Sequence, residues 1–154
     1  MATKKRTTRP FEARESKIQG RGVFATRKIE EGTRLIEYRG ELVDDDEADR
    51  RYPFYDDERH HTFLFRLESG DAIDAGPSRS IAKYINHSCD PNCEAVEEDG
   101  HIYIDAIRDI ARGEELAYDY NYVLDERHTA ANKRLYPCNC GVRKCRGTIL
   151  AKKR

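Results

Sequence analysis

The sequence predicts a single β-rich domain, mainly β with short helices. Its 154 residues suit one domain with a hydrophobic core and are too few for two of ordinary size. Short segments of alternating apolar residues recur along the chain between turn residues, and only two segments suit a helix. There are no internal repeats and no low-complexity segments. Many short strands with little helix indicate a β-rich class.

The first elements follow a basic arm. Residues 1 to 11 carry four basic side chains and no apolar periodicity, which predicts a flexible segment. Residues 18–25, punctuated by glycine, and residues 33–39, ended by Gly40, predict two strands. Residues 44–51 begin with acids and end with arginines, as expected for a short helix that complements its own dipole.

The later elements are two hairpins and further short segments. Residues 62–67 and 71–75 flank Ser69-Gly70, and residues 93–96 and 102–107 flank Asp99-Gly100, so each pair predicts a hairpin. The remaining predicted elements are a helical turn at 80–85, a strand at 115–120 and a helix at 125–135. The tail from Pro137 holds too little apolar material for a core of its own.

Charge excludes some classes of function. The net charge is -1, and acid is concentrated at 44–49, 56–58 and 94–99. Such runs indicate either solvated surface or an acidic rim that attracts a basic peptide. No apolar run reaches the roughly 20 residues that span a bilayer, and no signal peptide follows the basic start. We therefore expect a soluble intracellular protein with reduced cysteines.

The cysteine pattern predicts a metal site rather than disulfides. Three of the five cysteines lie within eight residues: Cys138, Cys140 and Cys145. Gly141 lets the backbone turn between them, and structural zinc is almost always tetrahedral, so a fourth ligand is needed. Spacing alone leaves Cys89, Cys93 and His87 open as that ligand. The alternative interpretation is unligated thiols, which are poor core material in a polar tail.

Two polar segments have ordinary interpretations when each is taken alone. Residues 86–93, Asn-His-Ser-Cys-Asp-Pro-Asn-Cys, favour a turn. Residues 118–122 alternate tyrosine with polar residues, and tyrosines at a spacing of two lie on one face of a strand, where they can pack on a core.

Taken together, the motifs resemble those of the SET-domain lysine methyltransferases from about Glu15 to Ile149. Residues 20–24 (GRGVF) resemble the opening glycine motif, and residues 86–93 resemble the asparagine-histidine-serine-cysteine motif. Residues 113–120 resemble the following motif, with Ala117 where threonine is common. The cysteine tail is similar to the post-SET segment.

The resemblance implies a SET-domain fold of small curved sheets, with a C-terminal pseudoknot and a zinc-bound post-SET tail. It divides the chain into the arm at 1–11, a SET domain at 12–123, and a helix with the post-SET segment at 124–154. It implies that 86–87 lie beside 118–120. It also selects Cys89 as the fourth zinc ligand and leaves Cys93 as a non-ligand.

The implied activity is methyl transfer from S-adenosylmethionine to the ε-amine of a lysine in a basic, histone-like protein. Tyr120 would stand at the methyl-transfer site, Tyr38 would contact cofactor and amine, and Tyr118 would hold a water and favour monomethylation. The implied cofactor-binding residues are Gln19, Gly20, Arg21, Gly22, Tyr38, Asn86, His87, Tyr120 and Asn139. The implied zinc ligands are Cys89, Cys138, Cys140 and Cys145.

Two other interpretations stay open. A SET-like, zinc-stabilised binding module without activity would share the fold, although the site tyrosines argue against it. A nucleic-acid-binding protein would use the basic ends, but the acidic middle argues against that class. We expect a monomer without membrane contact that meets nucleic acid only indirectly, in the cytoplasm of a bacterium or in the chromatin of a eukaryote or virus.

Overall fold

A computed structural model describes residues 9–18, 20–52, 63–123 and 127–152. Three small sheets hold the strands of these residues. The strands, in chain order, are β1 (Phe11–Glu15), β2 (Arg21–Ala25), β3 (Arg34–Glu37), β4 (Glu41–Val43), β5 (Leu64–Arg66), β6 (Ala72–Asp74), β7 (Asn86–His87), β8 (Cys93–Glu98), β9 (His101–Ala106) and β10 (Ala117–Tyr118). The predicted β-rich class is confirmed.

The helices are short and capped. They are α1 (Asp45–Arg51), a 3-10 helix (Ile81–Tyr84) and α2 (Ala130–Leu135). The side chains of Asp44, Ser80 and Thr129 each accept a hydrogen bond from a backbone N–H of the first turn of their helix. Among the described residues, no helix is long and apolar enough to span a membrane.

Two predicted boundaries were wrong. Phe11 is 3% exposed and pairs with Ala25 in the β1–β2 ladder, so the basic arm ends before it. The predicted helix at 125–135 begins only at Ala130, because Thr129 has an extended backbone and its hydroxyl accepts from the Asn132 N–H as an N-cap. Residues 124–126 lie outside the described part of the chain.

The largest sheet brings distant segments together. Its strand order is β3-β9-β8-β10-β7. β10 runs parallel to both neighbours: Tyr118 is paired with His87 on one side and with Cys93 on the other. This pairing confirms that 86–87 lie beside 118, as the resemblance implied.

The main core lies under this sheet. It contains Val23, Ile104, Ile110 and Leu116, each fully or almost fully buried. Tyr118 belongs to the same cluster, and Tyr120 packs against it. The backbone of the tyrosine segment is therefore fixed by both a ladder and a packed core.

The tail packs in a small cluster that it shares with other segments. Tyr136, Ile149 and Leu150 are buried together, and Tyr120 and Tyr122 pack against them. The tail therefore takes aromatic surface from the tyrosine segment and from the end of α2.

Candidate active site

The three predicted site tyrosines, Tyr38, Tyr118 and Tyr120, lie in one aromatic cluster. The ring centroids of Tyr118 and Tyr120 are 4.9 Å apart. Phe65 lies 6.3 Å from Tyr118 and 5.5 Å from Tyr38, so it joins the third tyrosine to the pair. Sequence reasoning did not single out Phe65, which is an ordinary apolar residue of a predicted strand.

Backbone carbonyls orient two of the tyrosine hydroxyls. The Tyr120 hydroxyl donates to the Ile85 carbonyl at 2.6 Å, and the Tyr38 hydroxyl donates to the Phe63 carbonyl at 2.8 Å. Each bond uses the only proton of its hydroxyl and leaves oxygen lone pairs free to accept. Burial raises the pKa of Tyr38, Tyr118 and Tyr120 above the ordinary tyrosine value, so all three phenols stay neutral.

Asn86 ties β7 to the glycine segment. Its Nδ2 group lies 2.8 Å from a carboxylate oxygen of Glu115 and 3.1 Å from the Arg21 carbonyl. The Glu115 carboxylate also accepts from the Ser16 hydroxyl at 2.8 Å. A Cβ at Gly22 would collide with that carboxylate, which explains the glycine.

Glu115 was missed from the sequence as a site residue. It follows Glu114 in the Gly-Glu-Glu motif, and its position within that motif was the available signal.

His87 is neutral with a defined tautomer. Its Nδ1 accepts from the Tyr120 N–H at 3.1 Å, so the proton resides on Nε2, which lies 3.5 Å from the Cys89 sulfur. Burial lowers the pKa of His87 to about 4. The ring also packs edge-on against Tyr120, with centroids 5.3 Å apart. His87 thus connects the tyrosine segment to a cysteine.

Four cysteine sulfurs converge beside His87. They belong to Cys89, Cys138, Cys140 and Cys145, and all lie within 4.8 Å of one another. The sulfurs of Cys89 and Cys138 are 3.8 Å apart, and a tetrahedral ion with metal–sulfur bonds of about 2.3 Å places its ligands about 3.8 Å apart. Cys93 is buried in the main core instead. The set resembles a four-thiolate zinc site.

The electrostatics of the cluster fit a bound dication. Burial raises the pKa of Cys89 and Cys138, whereas at Cys140 backbone N–H bonds outweigh burial and lower the pKa to about 7. Without a cation the half-buried Cys89 and Cys138 thiols would therefore stay protonated. Backbone N–H groups point at the sulfurs, among them that of Arg146 at Cys89, 3.3 Å away. These residues fit zinc in donor type and arrangement.

An ion pair joins the tail to the tyrosine segment. Arg146 Nη1 and Nη2 donate to the two carboxylate oxygens of Asp119 at 2.7 and 3.2 Å. Asp119 also lies 3.6 Å from His87 Nδ1. Sequence reasoning missed Asp119 and Arg146, although one stands between the two tyrosines and the other directly follows Cys145.

Of the other predicted cofactor-binding residues, Arg21 contacts Asn86 through its backbone carbonyl. Gln19 lies outside the described residues, and its neighbour Gly20 has a φ of +43°, a left-handed conformation suited to glycine. Asn139 is exposed between two of the cysteines. Arg21 stacks on Tyr84, its guanidinium 5.4 Å from the ring centroid.

The acidic helix is partly neutralised. Glu47 pairs with Arg50 and Arg51, and Asp45 pairs with Arg66 at 2.7 Å. Asp46 is exposed and has no ion pair within the described ranges. The second acidic run, 56–58, lies outside the described residues.

The sequence is similar to those of known proteins. A family model for the SET domain matches residues 20–121. Histone-lysine N-methyltransferase 2B of Homo sapiens is 43% identical over 135 residues, covering 85% of the chain and 5% of that relative. Histone-lysine N-methyltransferase trr of Drosophila melanogaster is 43% identical over 136 residues, with the same coverage of each chain.

A plant relative extends the match. Histone-lysine N-methyltransferase ATX2 of Arabidopsis thaliana is 41% identical over 142 residues, which is 88% of the chain and 12% of that relative. The chain thus spans only a small part of the length of the curated relatives it matches.

Proposed function

This chain belongs to the SET-domain family, and from that premise we propose that it is a protein-lysine N-methyltransferase that uses S-adenosylmethionine. The observation that carries the proposal is the convergence of Tyr38, Tyr118 and Tyr120 beside Asn86 and His87. Their hydroxyls are neutral, and two are oriented by backbone carbonyls. This arrangement suits the transfer of a methyl group to a neutral amine.

The bound sulfonium cofactor supplies the methyl group and a positive charge. Lysine must first lose its proton, and lowering a pKa from about 10.4 to 7 corresponds to roughly 4.6 kcal/mol. The buried aromatic walls formed by Tyr118, Tyr120 and Phe65 disfavour an ammonium ion by desolvation. The three phenols stay neutral, so none is present as a phenolate that could accept the lysine proton. That proton must therefore leave to solvent.

The oriented oxygens align the amine. Since the Tyr120 and Tyr38 protons are held by carbonyls, the phenol oxygens present lone pairs. Such lone pairs accept a hydrogen bond from the amine or a weak C–H···O contact from a methyl group. Holding the reactants in line in this way is worth several kcal/mol.

Asn86, His87 and the 19–22 segment are proposed to hold the cofactor, with Asn139 near its adenine. The four cysteines are proposed to bind one structural Zn²⁺ that orders the tail over this site. The division of the chain into an arm at 1–11, a SET domain at 12–123 and a helix with the post-SET segment at 124–154 stays a prediction.

The test is methyl transfer with labelled S-adenosylmethionine and recombinant histones. We expect label on lysine for the wild type and a loss of about 100-fold for Tyr120→Phe, as is typical when one positioned polar group is removed. Tyr103→Phe is a matched control, since the Tyr103 ring packs against His101 and Arg34 instead of the cluster tyrosines. Label on arginine, or none at all, would contradict the proposal.

Monomethylation is the proposed main product. Among the described residues the Tyr118 hydroxyl has no hydrogen-bond partner, which leaves it free to hold a water in the space that a methylated amine would need. We expect Tyr118→Phe to raise the di- and trimethyl fractions, measured by mass spectrometry. An unchanged product distribution would exclude this role.

The proposed substrate is a basic protein, histone or histone-like, since the relatives named above are histone-lysine methyltransferases. In a eukaryotic cell that substrate would place the protein on chromatin.

An inactive SET-like module is the second candidate. Isothermal titration with S-adenosylmethionine identifies an inactive module that binds the cofactor weakly. The histone-labelling assay identifies one that binds the cofactor but turns it over too slowly to label a histone.

A further inference from the structure

We propose that Asp119 and Arg146 are positioning residues that transmit the seating of the cysteine tail to Tyr120. The inference rests on the proposed methyl transfer and goes beyond it by adding two residues outside the tyrosine and cysteine sets. Neither residue needs to touch cofactor or substrate. Their role is to fix the backbone that carries the phenol.

The first step is the position of Asp119 in the chain. It lies between Tyr118 and Tyr120, and one carboxylate oxygen accepts from the Asn121 N–H at 2.9 Å. Asn121 has a φ of +47°, a conformation that non-glycine residues rarely adopt. The Asp119 carboxylate therefore stabilises the turn that ends the tyrosine segment.

The second step is the way Arg146 holds that carboxylate. Its guanidinium makes two bonds to Asp119, at 2.7 and 3.2 Å, and a third to the Leu150 carbonyl at 3.2 Å. Both side chains are mostly buried, with exposures of 18% and 23%. A planar guanidinium bound in this way fixes orientation as well as distance.

The third step closes a ring of contacts. The Arg146 N–H donates to the Cys89 sulfur, and His87 Nε2 lies 3.5 Å from the same sulfur. His87 Nδ1 in turn accepts from the Tyr120 N–H at 3.1 Å. The N–H groups of residues 120 and 121 are thus held by two side chains: Asp119 binds Arg146 of the tail directly, and His87 contacts the sulfur that the Arg146 N–H also binds.

A role in mere attachment explains the pair poorly. The tail is already bound by the Tyr136, Ile149 and Leu150 cluster and by four sulfurs. Within the described residues, Arg146 Nε is buried without a hydrogen-bond partner, so the side chain is arranged to reach Asp119 rather than to satisfy every donor.

The test compares kcat, KM and zinc content in matched variants. Asp119→Asn and Arg146→Gln should each lower kcat about 10- to 100-fold, as a small misplacement of a reacting group does. The KM for a histone peptide should change less than about threefold, because the variants alter alignment rather than binding. Zinc should stay at one ion per chain, read by metal analysis.

A matched control exists on the opposite part of the large sheet. Arg34 binds Asp105 through two bonds of 2.9 and 3.1 Å, the same type of bidentate pair on strands β3 and β9, which β8 separates from β10 and Tyr118. Asp105→Asn should leave kcat within about twofold of the wild type, since exposed pairs contribute little.

Two further variants separate positioning from folding. Arg146→Lys keeps the cation but not the planar fork, and we expect an intermediate kcat with an intact fold. The double variant of Asp119→Asn with Arg146→Gln should be no slower than the worse single variant, because residues acting as a unit are not additive.

The inference is overturned if kcat is unchanged, or if activity falls only in proportion to lost zinc. Additive effects in the double variant would also contradict it. A wild type without methyl transfer would instead refute the proposed function, and the two failures are therefore distinguishable.

Discussion

The tyrosine segment and the cysteine tail contribute to one site but are held in place by different forces. Tyr118 is paired on both sides within a five-stranded sheet and buried in the main core. The tail from Pro137 follows the six-residue helix α2, buries Ile149 and Leu150, and supplies three of the four converging sulfurs. Packing and backbone hydrogen bonds fix the first region, whereas the second is held by a small cluster, an ion pair and the proposed zinc.

The difference indicates that the two regions have separate roles in the site. A scaffold fixed by its core presents the phenols with little strain, and a weakly packed tail can be ordered separately. The two regions should therefore respond differently to metal removal, to loss of buried volume, and to pH.

Removing the metal should produce the largest difference between the two regions in their protection from hydrogen exchange. We expect Cys140→Ser to lower methyl transfer more than about 100-fold, because loss of a ligand removes the binding energy that orders the tail. Hydrogen exchange should show lost protection in 127–152 and retained protection in β8 and β9. Cys93→Ala, which removes a cysteine outside the cluster, should keep a full complement of zinc. Full activity of zinc-free Cys140→Ser would refute the dependence.

Loss of buried volume should distinguish the two cores. Ile104 is fully buried in β9, and Ile104→Ala should lower the free energy of unfolding by about 2–5 kcal/mol. Ile149→Ala should instead loosen the tail locally and change global stability by less than about 1 kcal/mol. Denaturant unfolding measures the first effect, and hydrogen exchange measures the second. Equal global losses would show that the two regions unfold as one unit.

The pH dependence of methyl transfer should depend on the substrate lysine and on the tyrosine segment, and not on the cysteine tail. The kcat/KM for a lysine peptide should rise about tenfold per pH unit from 7 to 9, because it follows the neutral fraction of the free lysine, whose pKa is ordinary. Burial raises the pKa of Tyr38 and Tyr118, so no fall from phenol ionisation is expected below about pH 10. The phenols should lower the stability only above about pH 10, where the unfolded chain releases phenol protons that the folded chain keeps. A pH–rate profile that declines by pH 9 would contradict this assignment.

The smallest effect is expected on α1, which belongs to neither region. Asp46 is exposed, so Asp46→Lys should weaken binding of a basic peptide only about two- to threefold at low salt. Glu30→Lys, an exposed acid outside the helix, is the control. Unchanged affinity for Asp46→Lys would leave the acidic helix as solvated surface.

Much of the fold was predictable because its signals are local. The two hairpins, the 3-10 turn and α1 follow from turn residues, alternation and caps such as Asp44. β1 was missed because Phe11–Glu15 carries few apolar residues, and β4 because Glu41–Val43 is too short for an alternating pattern. Their strand character depends on pairing partners elsewhere in the chain.

The site was predictable in its residues but not in its connections. The tyrosines and cysteines stood out by type and spacing. Glu115, Asp119 and Arg146 did not, because ordinary charged residues gain a role only from the contacts that the fold gives them. Choosing Cys89 over Cys93 likewise required the resemblance, since both cysteines lie near the same histidine in sequence.

The parallel pairing of β10 also has a consequence for folding kinetics. β10 contains only two residues, and it meets β7 across about thirty intervening positions. Contacts between such distant residues form slowly, because the intervening loop must close before they contribute any stability. The local hairpins can therefore form well before Tyr118 is inserted between its neighbours. Catalytic competence should then be among the last properties that a refolding chain acquires, so recovered activity would report complete folding better than recovered β-structure does.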